Sequence, residues 1–184
     1  CPTAGVNGRV NQAVAFDAVE DEHLEIAHGP ANRLTNDFTV AAWVRPGAVS
    51  GIQRIVSTGR ARSDDGWGLA LVGSNLRLNT WGVRAYDATG IGLQPHRWTH
   101  VAAVMDAENT VSFYVDGELA ATVTGSEPAV ADTDDLLLIG AGLSRSGELI
   151  QAFDGRIDDI HVFRTALDAG EIEQIYRRAP LFHM

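Results

Sequence analysis

The chain has 184 residues, a length that suits one domain with a core large enough to need no disulfide. Hydrophobic residues make up 45% and charged residues 21%, which is ordinary globular usage and excludes wholesale disorder. The 14 basic residues are all arginines and are outnumbered by 24 acidic residues, which sets the formal net charge at -10. Such a surface repels phosphate and anionic lipid, so nucleic acid and membranes are poor partners.

The only cysteine is Cys1, which rules out internal disulfides and paired-thiol metal sites. It is either the lipid-modified residue of a lipoprotein or the boundary of a domain taken from a longer chain, and we favour the boundary. We expect a lead-in over residues 1–10, one domain over 11–178 and a tail or linker over 179–184.

Short apolar segments separated by glycine and polar clusters predict an all-β sandwich or barrel. The predicted strands are Ala13–Phe16, His23–Ala27, Phe38–Val44, Gln53–Ser57, Gly68–Leu71, Leu76–Thr80, Trp98–Met105, Val111–Val115, Leu119–Val123, Leu136–Ile139 and Ile157–Phe163.

Local signals predict two hairpins and one helix. Asp116-Gly117 supplies the positive φ angles of a two-residue hairpin turn, and the cluster that begins at Gly73 does a similar job. Asp168 followed by Glu171 forms a capping-box pattern ahead of helically spaced apolar residues, which predicts a short amphipathic helix near the C-terminus.

Five segments, in order, resemble the laminin-G-like jelly-roll family of bacterial extracellular proteins, within the concanavalin A-like lectins and glucanases. They are NQAVAFDAVEDEHLEI, FTVAAWVRPGA, RWTHVAAVMDAENTVSFYVDGEL, LLLIGAG and FDGRIDDIHVFRTALDAGEIEQIY, and together they span Asn11 to Tyr176. The resemblance implies an all-β fold of two antiparallel sheets. It does not specify a ligand, because the architecture hosts lectins, carbohydrate-binding modules, receptor-binding domains and spacers.

No catalytic motif stands out. Glucanases of this fold carry a strand with E-x-D-x-x-E, whereas the nearest string here, Glu20 to Glu25, has glutamate at the middle position and no apolar spacers. We interpret it as a charged edge or loop. No nucleophile elbow, metalloprotease or nucleotide-binding motif occurs, and His100 is interpreted as structural.

The resemblance implies a structural calcium site that joins the opening loop to the last long strand. The matching carboxylates are those of Asp17, Asp21 and Asp158, completed by Asp154 or Asp159. The alternative is that Asp17 caps a turn and Asp158 pairs with an arginine.

Aromatic and planar polar residues indicate a candidate glycan-binding platform. Trp43 and Trp98 lie at family core positions, whereas Trp67 and Trp81 are candidates to stack on sugar rings, with hydroxyl contacts from nearby polar groups. The full candidate set is Trp67, Arg77, Asn79, Trp81, Arg84, Tyr86 and Asp87, of which Arg84, Tyr86 and Asp87 are predicted to lie in a short loop. A second group, Arg54, Arg60 and Arg62, is a candidate for anionic sugars.

We therefore expect a non-catalytic glycan-binding module of a larger secreted or cell-surface protein. The alternatives are a protein-interaction or spacer domain, for which the same aromatic residues would be interface anchors, and, third, a glycosidase of the same fold.

The calcium site is tested by chelation. If calcium binds only the native state, EDTA lowers the melting temperature and added calcium restores it. An unchanged melting temperature in a calorimeter would contradict the calcium site.

Overall fold

The structure, a computed structural model, describes residues 1–27, 29, 34, 37–60, 66–125 and 136–178. Two antiparallel sheets pack face to face as a β-sandwich jelly roll with one short helix, so the predicted fold class is confirmed. No helix within these ranges is long and apolar enough to span a membrane.

The strands of the described ranges follow one another at short intervals. In chain order they are β1 (Thr3–Asn7), β2 (Gln12–Phe16), β3 (Leu24–Ile26), β4 (Phe38–Pro46), β5 (Ile52–Thr58), β6 (Trp67–Val72), β7 (Asn75–Thr80), β8 (Arg84–Ala88), β9 (Thr99–Met105), β10 (Thr110–Val115), β11 (Glu118–Thr124), β12 (Leu137–Ile139), β13 (Gly142–Leu143), β14 (Leu149–Ile150) and β15 (Gly155–Phe163), followed by helix α1 (Ala169–Arg177).

One sheet has seven strands in the spatial order β1-β2-β15-β4-β9-β10-β11, and the other has six in the order β3-β12-β5-β6-β7-β8. The main hydrophobic core fills the space between them. Residues of β7 show how the pattern works: Leu76 and Leu78 are fully buried in this core, whereas Arg77 and Asn79 lie on the outer face of the sheet. A separate small hairpin joins β13 to β14.

The local signals in the sequence are confirmed. Asp116 and Gly117 have φ angles of 49° and 85° between β10 and β11. The Asp168 side chain accepts a hydrogen bond from the Glu171 amide, and the Glu171 side chain accepts one from the Asp168 amide, which completes the capping box of α1. Ile172 of α1 then packs on the outer face of the seven-stranded sheet.

Four strands lie outside the predicted set: β1, β8, β13 and β14. Strand β1 lies within residues 1–10, the predicted lead-in, and pairs with β2. The prediction of a loop over Arg84–Asp87 is wrong, because these residues belong to β8, which pairs along β7. The sequence of β8, RAYDA, contains one residue with a clear strand preference, and its pairing partner decides its conformation. The predicted tail, 179–184, lies outside the described residues.

An aromatic cluster forms the contact between α1 and the seven-stranded sheet. Trp43 and His100 face each other across β4 and β9 with ring centroids 5.4 Å apart, and Tyr176 of α1 stacks on Trp43 at 5.5 Å. His100 is fully buried, and this burial, together with a smaller effect of His161 and against the opposing charges of Asp116 and Asp159, lowers its pKa from 6.5 to about 4. His100 is therefore neutral at pH 7 and acts as a packing residue.

This buried histidine makes stability depend on pH. The unfolded chain protonates His100 near pH 6.5 but the folded chain does so only near pH 4, so its stabilisation is complete above pH 6.5 and lost as the pH falls through this window. We expect the free energy of unfolding to fall by about 3 kcal/mol more in the wild type than in His100→Phe between pH 7 and pH 4, since one pKa unit corresponds to about 1.4 kcal/mol. Urea unfolding across that pH range measures the free energy of unfolding of both proteins. The same pH dependence in the two would contradict the lowered pKa of His100.

Candidate functional site

The outer face of the six-stranded sheet carries a row of aligned residues. Arg54 of β5 pairs with Ala70 of β6, which pairs with Arg77 of β7, which pairs with Asp87 of β8. Residues in register across neighbouring strands point to the same side of a sheet. The sheet therefore gathers two arginines and an aspartate from three separate strands on one surface.

A cleft of about 440 Å³ opens on this face. Its lining combines guanidinium and amide groups with a few apolar side chains and contains no carboxylate. The lining residues are Ile52, Arg54, Arg77, Asn79, Thr80, Trp81, Gly82, Val83, Arg84 and Gln151.

Arg54 is the most deeply buried charged residue of the cleft, with only 4% of its surface exposed. Its Nε donates to Oε1 of Gln151 at 2.8 Å, and its Nη1 donates to Oδ1 of Asn79 at 2.8 Å. Burial, with a smaller contribution from the charge of Arg77, lowers the pKa of Arg54 to about 10. The group thus remains charged at neutral pH and is held by two neutral amides.

Trp81 supports Arg54 from one side. The Arg54 guanidinium lies 4.7 Å from the centre of the indole, and the indole Nε1 donates to the Thr58 carbonyl at 2.7 Å. The lack of side chains at Gly68 permits this arrangement, because a Cβ there would lie 3.2 Å from the indole and 3.3 Å from Nη1 of Arg54. Gly142 of β13 is also close to Arg54, because a Cβ added to Gly142 would lie 3.2 Å from Cγ of Arg54.

Arg77 and Arg84 differ in their partners. Arg77 forms a two-point ion pair with Asp87, in which Nε donates to Oδ1 and Nη2 donates to Oδ2 at 2.8 Å, and this hydrogen bonding raises the pKa of Arg77. Arg84 is exposed, and its guanidinium lies 5.4 Å from the ring centre of Tyr86. Four of the predicted ligand-binding residues, Arg77, Asn79, Trp81 and Arg84, line the cleft, and Asp87 borders it through Arg77.

The predicted stacking platform is wrong in its aromatic residues. Trp67 and Tyr86 are fully buried in the core between the sheets, so neither presents a ring to an external ligand. Trp81 is 7% exposed and its ring is covered by Arg54. Trp98, expected in the core, precedes β9 and is only partly buried. In the segment WGLALV, Trp67 alternates with Gly68 and shares its face with Leu69, which already indicated the core side.

The predicted calcium ligands do not form a cluster. Asp158 is buried and its Oδ2 accepts the amides of Arg9 and Val10 at 2.7 and 2.8 Å, while Oδ1 of Asp17 accepts the Val19 amide at 2.8 Å. These bonds favour the alternative of a turn cap for Asp17, and they give Asp158 backbone partners in place of an arginine.

The other two predicted ligands are placed separately. Asp21 lies in the turn before β3, and the Asp154 amide donates to Oε1 of Gln53. The described ranges hold no group of three or more histidine, cysteine, aspartate or glutamate side chains suited to a metal ion. Calcium binding stays a prediction, which chelation tests.

Sequence reasoning placed Arg54 in a secondary group and missed Gln151 altogether. Arg54 was grouped with Arg60 and Arg62, of which Arg62 lies outside the described residues. Strand β5 contains a bulge between Arg54 and Val56, so consecutive residues of QRIVST do not alternate simply. Gln151 reaches Arg54 across 97 positions of sequence, a distance that no local pattern spans.

The comparisons with known proteins agree with this architecture. A sequence profile described as the concanavalin A-like lectin/glucanases superfamily, of the laminin G type, matches residues 18–173. The chain belongs to this superfamily. Among curated proteins, none matches the chain.

Solved structures of the superfamily fold align with most of the chain at low sequence identity. Domain 4 of AbnA, a GH43 extracellular arabinanase from Geobacillus stearothermophilus in complex with arabinotriose, is 16% identical, covers 96% of this chain and 82% of its own, and has a TM-score of 0.73. The CBM40 of Ruminococcus gnavus IT-sialidase, bound to α2,3 sialyllactose, is 18% identical with a TM-score of 0.65, over 84% of this chain and 96% of its own. The binding domain of botulinum neurotoxin serotype G is 15% identical with a TM-score of 0.70, over 96% of this chain and 44% of its own. At these identities the likeness establishes the fold.

The reassigned tryptophans have a direct fluorescence test. We expect Trp98→Phe to lower the Stern–Volmer constant for acrylamide quenching, because Trp98 is more accessible than Trp43, Trp67 and Trp81. The matched control Trp67→Phe removes a fully buried emitter and therefore does not lower the constant. A lower Stern–Volmer constant for Trp67→Phe instead would show that Trp67 is exposed to solvent.

Proposed function

We propose that the protein is a non-catalytic carbohydrate-binding module and that the cleft on the outer face of β5–β8 is its binding site. The observation that carries the proposal is the lining of this cleft, in which guanidinium and amide groups from Arg77, Asn79, Arg84 and Gln151 surround an open volume of about 440 Å³. Volumes of roughly 300–1,000 Å³ are typical of small-ligand sites. Planar polar groups of this kind form paired hydrogen bonds with neighbouring sugar hydroxyls.

The binding mode proposed here is mainly polar. None of the cleft aromatic residues offers an open ring face, since Trp81 is covered by Arg54. Recognition would therefore depend on hydrogen bonds to hydroxyls, with Ile52 and Val83 contacting the apolar C–H faces of the sugar. Affinity would be modest, because an open cleft buries little of its ligand.

The comparisons support a carbohydrate ligand. Two of the aligned structures contain oligosaccharides, arabinotriose in one and sialyllactose in the other. The first is one domain of an extracellular enzyme, and the second is the CBM40 of a sialidase. By analogy we propose that this chain serves a larger secreted or cell-surface protein by attaching it to a polysaccharide or glycan.

A binding role is favoured over glycoside hydrolysis by the chemistry of the cleft. The usual glycosidase mechanisms require two carboxyl groups across the scissile bond, whereas the residues that line this cleft include no aspartate or glutamate. The acidic string near Glu22 lies before β3, at the edge of the sheet opposite β8. There Glu22 accepts a hydrogen bond from the Asp17 amide, which is a turn-stabilising role.

Affinity electrophoresis against soluble neutral and acidic polysaccharides tests the proposal. We expect at least one polymer to retard the wild type, and Arg84→Ala to weaken binding at least about tenfold, because Arg84 is an exposed donor at the cleft with no structural ion pair within the described ranges. Loss of a hydrogen bond from a charged group weakens binding by about tenfold or more.

The matched control is Arg177→Ala. The Arg177 side chain is 72% exposed and belongs to α1, which packs on the seven-stranded sheet. This substitution removes the same charge but should leave retardation unchanged. Absence of retardation across the whole panel, or equal loss in both variants, would contradict a carbohydrate site in this cleft.

A further inference from the structure

Among the described residues, no carboxylate balances the charge of Arg54. Both of its hydrogen bonds go to neutral amide oxygens, those of Gln151 and Asn79, and no ion pair to Arg54 exists among the residues that the structure describes. A charged group that is 96% removed from solvent, as its 4% exposure implies, carries a large desolvation penalty unless an opposite charge lies beside it. Within the part of the chain that the structure describes, the site therefore holds a positive charge without a counter-charge.

The surroundings of Arg54 hold its guanidinium in one orientation. Gln151 fixes Nε, Asn79 fixes Nη1, and the indole of Trp81 lies 4.7 Å from the guanidinium carbon. Close approach of Gly68 and Gly142 leaves little room for another rotamer. Nη2 makes no hydrogen bond to any described residue, so its two N–H groups remain for a ligand in the cleft that Arg54 lines.

Neighbouring charges strengthen the attraction for an anion. Arg77 is already paired with Asp87, which keeps that aspartate away from Arg54. Arg84 lines the same cleft, and within the described ranges it has a ring contact and no carboxylate partner. The cleft is thus locally positive on a chain whose formal net charge is -10.

We infer that this cleft selects glycans that carry a carboxylate, such as uronic or sialic acids, and that Arg54 binds the carboxylate with Nη2 while Arg84 contacts it or the adjoining hydroxyls. The inference rests on the proposed function and specifies its substrate class. A planar carboxylate matches the planar guanidinium and neutralises the buried charge, whereas a neutral sugar would leave that charge unmatched.

The first test compares polymers that differ only in charge. Polygalacturonate, alginate, hyaluronan and polysialic acid would each be run in affinity electrophoresis beside its carboxyl-reduced form, with dextran sulfate as the sulfate-bearing probe. We expect at least one carboxylated polymer to retard the wild type, and its reduced form to bind at least about tenfold more weakly. Equal binding of the reduced forms, retention of neutral polymers alone, or retention of dextran sulfate alone would overturn the inference.

The outcomes also separate this inference from the proposed function. Binding of neutral polymers with no preference for the carboxylated ones would support the proposed carbohydrate-binding function and contradict the inference of an acidic ligand. No binding to any polymer would overturn both.

The second test uses the arginine itself. Arg54→Lys keeps the positive charge but loses the planar two-nitrogen fork, and Arg54→Met keeps a similar length without charge. We expect both to weaken binding of the retained acidic polymer at least about tenfold, and Arg177→Met on α1 to leave it unchanged. A fall limited to Arg84→Ala, with Arg54 variants binding normally, would overturn the role of Arg54.

Thermal melts distinguish binding from folding. Arg54→Met removes the desolvation penalty of the buried charge but also the donors to Asn79 and Gln151, so we expect the melting temperature of the free protein to change little. The retained acidic polymer should raise the melting temperature of the wild type and raise that of Arg54→Met much less. A large destabilisation of Arg54→Met, with an unaltered shift on adding polymer, would make Arg54 a structural residue only.

Discussion

The two-residue alternation of the six-stranded sheet is the constraint on which both the core and the cleft depend. In β6 and β7 one set of side chains fills the space between the sheets, and the other set is left on the outer face. Leu69 and Leu78 belong to the first set, and Ala70 and Arg77 belong to the second. The outer face of β6 carries small residues such as Ala70, while Arg54 of β5 and Arg77 of β7, on either side of it, line the cleft. The same periodicity therefore stabilises the domain and presents its candidate site.

Arg54 links these two roles because it is a charged residue held within a packed outer surface. Its neighbours come from β7, the turn after β7 and the segment after β14, so its position requires these distant segments to be assembled. The bonds to Asn79 and Gln151 fix the direction of the guanidinium but do not neutralise it. Such a group loses solvation on folding and would regain a favourable partner if the anion inferred above bound beside it. Fixing the donor in advance also reduces the entropy lost on binding.

The outer face of the seven-stranded sheet is closed in a different way. Helix α1 and the aromatic contact of Trp43, His100 and Tyr176 cover it, and buried Asp158 joins the strand β15 to the backbone at Arg9. The two faces of the sandwich thus have different uses, one occupied by the chain's own C-terminal helix and the other open to a ligand. This asymmetry explains why the proposed site lies on β5–β8.

The sequence by itself determined the all-β sandwich, the Asp116-Gly117 hairpin and the capped C-terminal helix, because each depends on local propensity or short-range periodicity. It also placed Arg77, Asn79, Trp81 and Arg84 together, since they are near neighbours in one hairpin. The tertiary structure alone decided that Trp67 and Tyr86 point into the core, that Arg84 begins a strand, and that Gln151 meets Arg54. The physical reason is that burial and charge balance arise from contacts between segments far apart in the chain. In addition, a bulge such as that in β5 changes which face of the sheet a residue occupies without a strong local signal in the sequence.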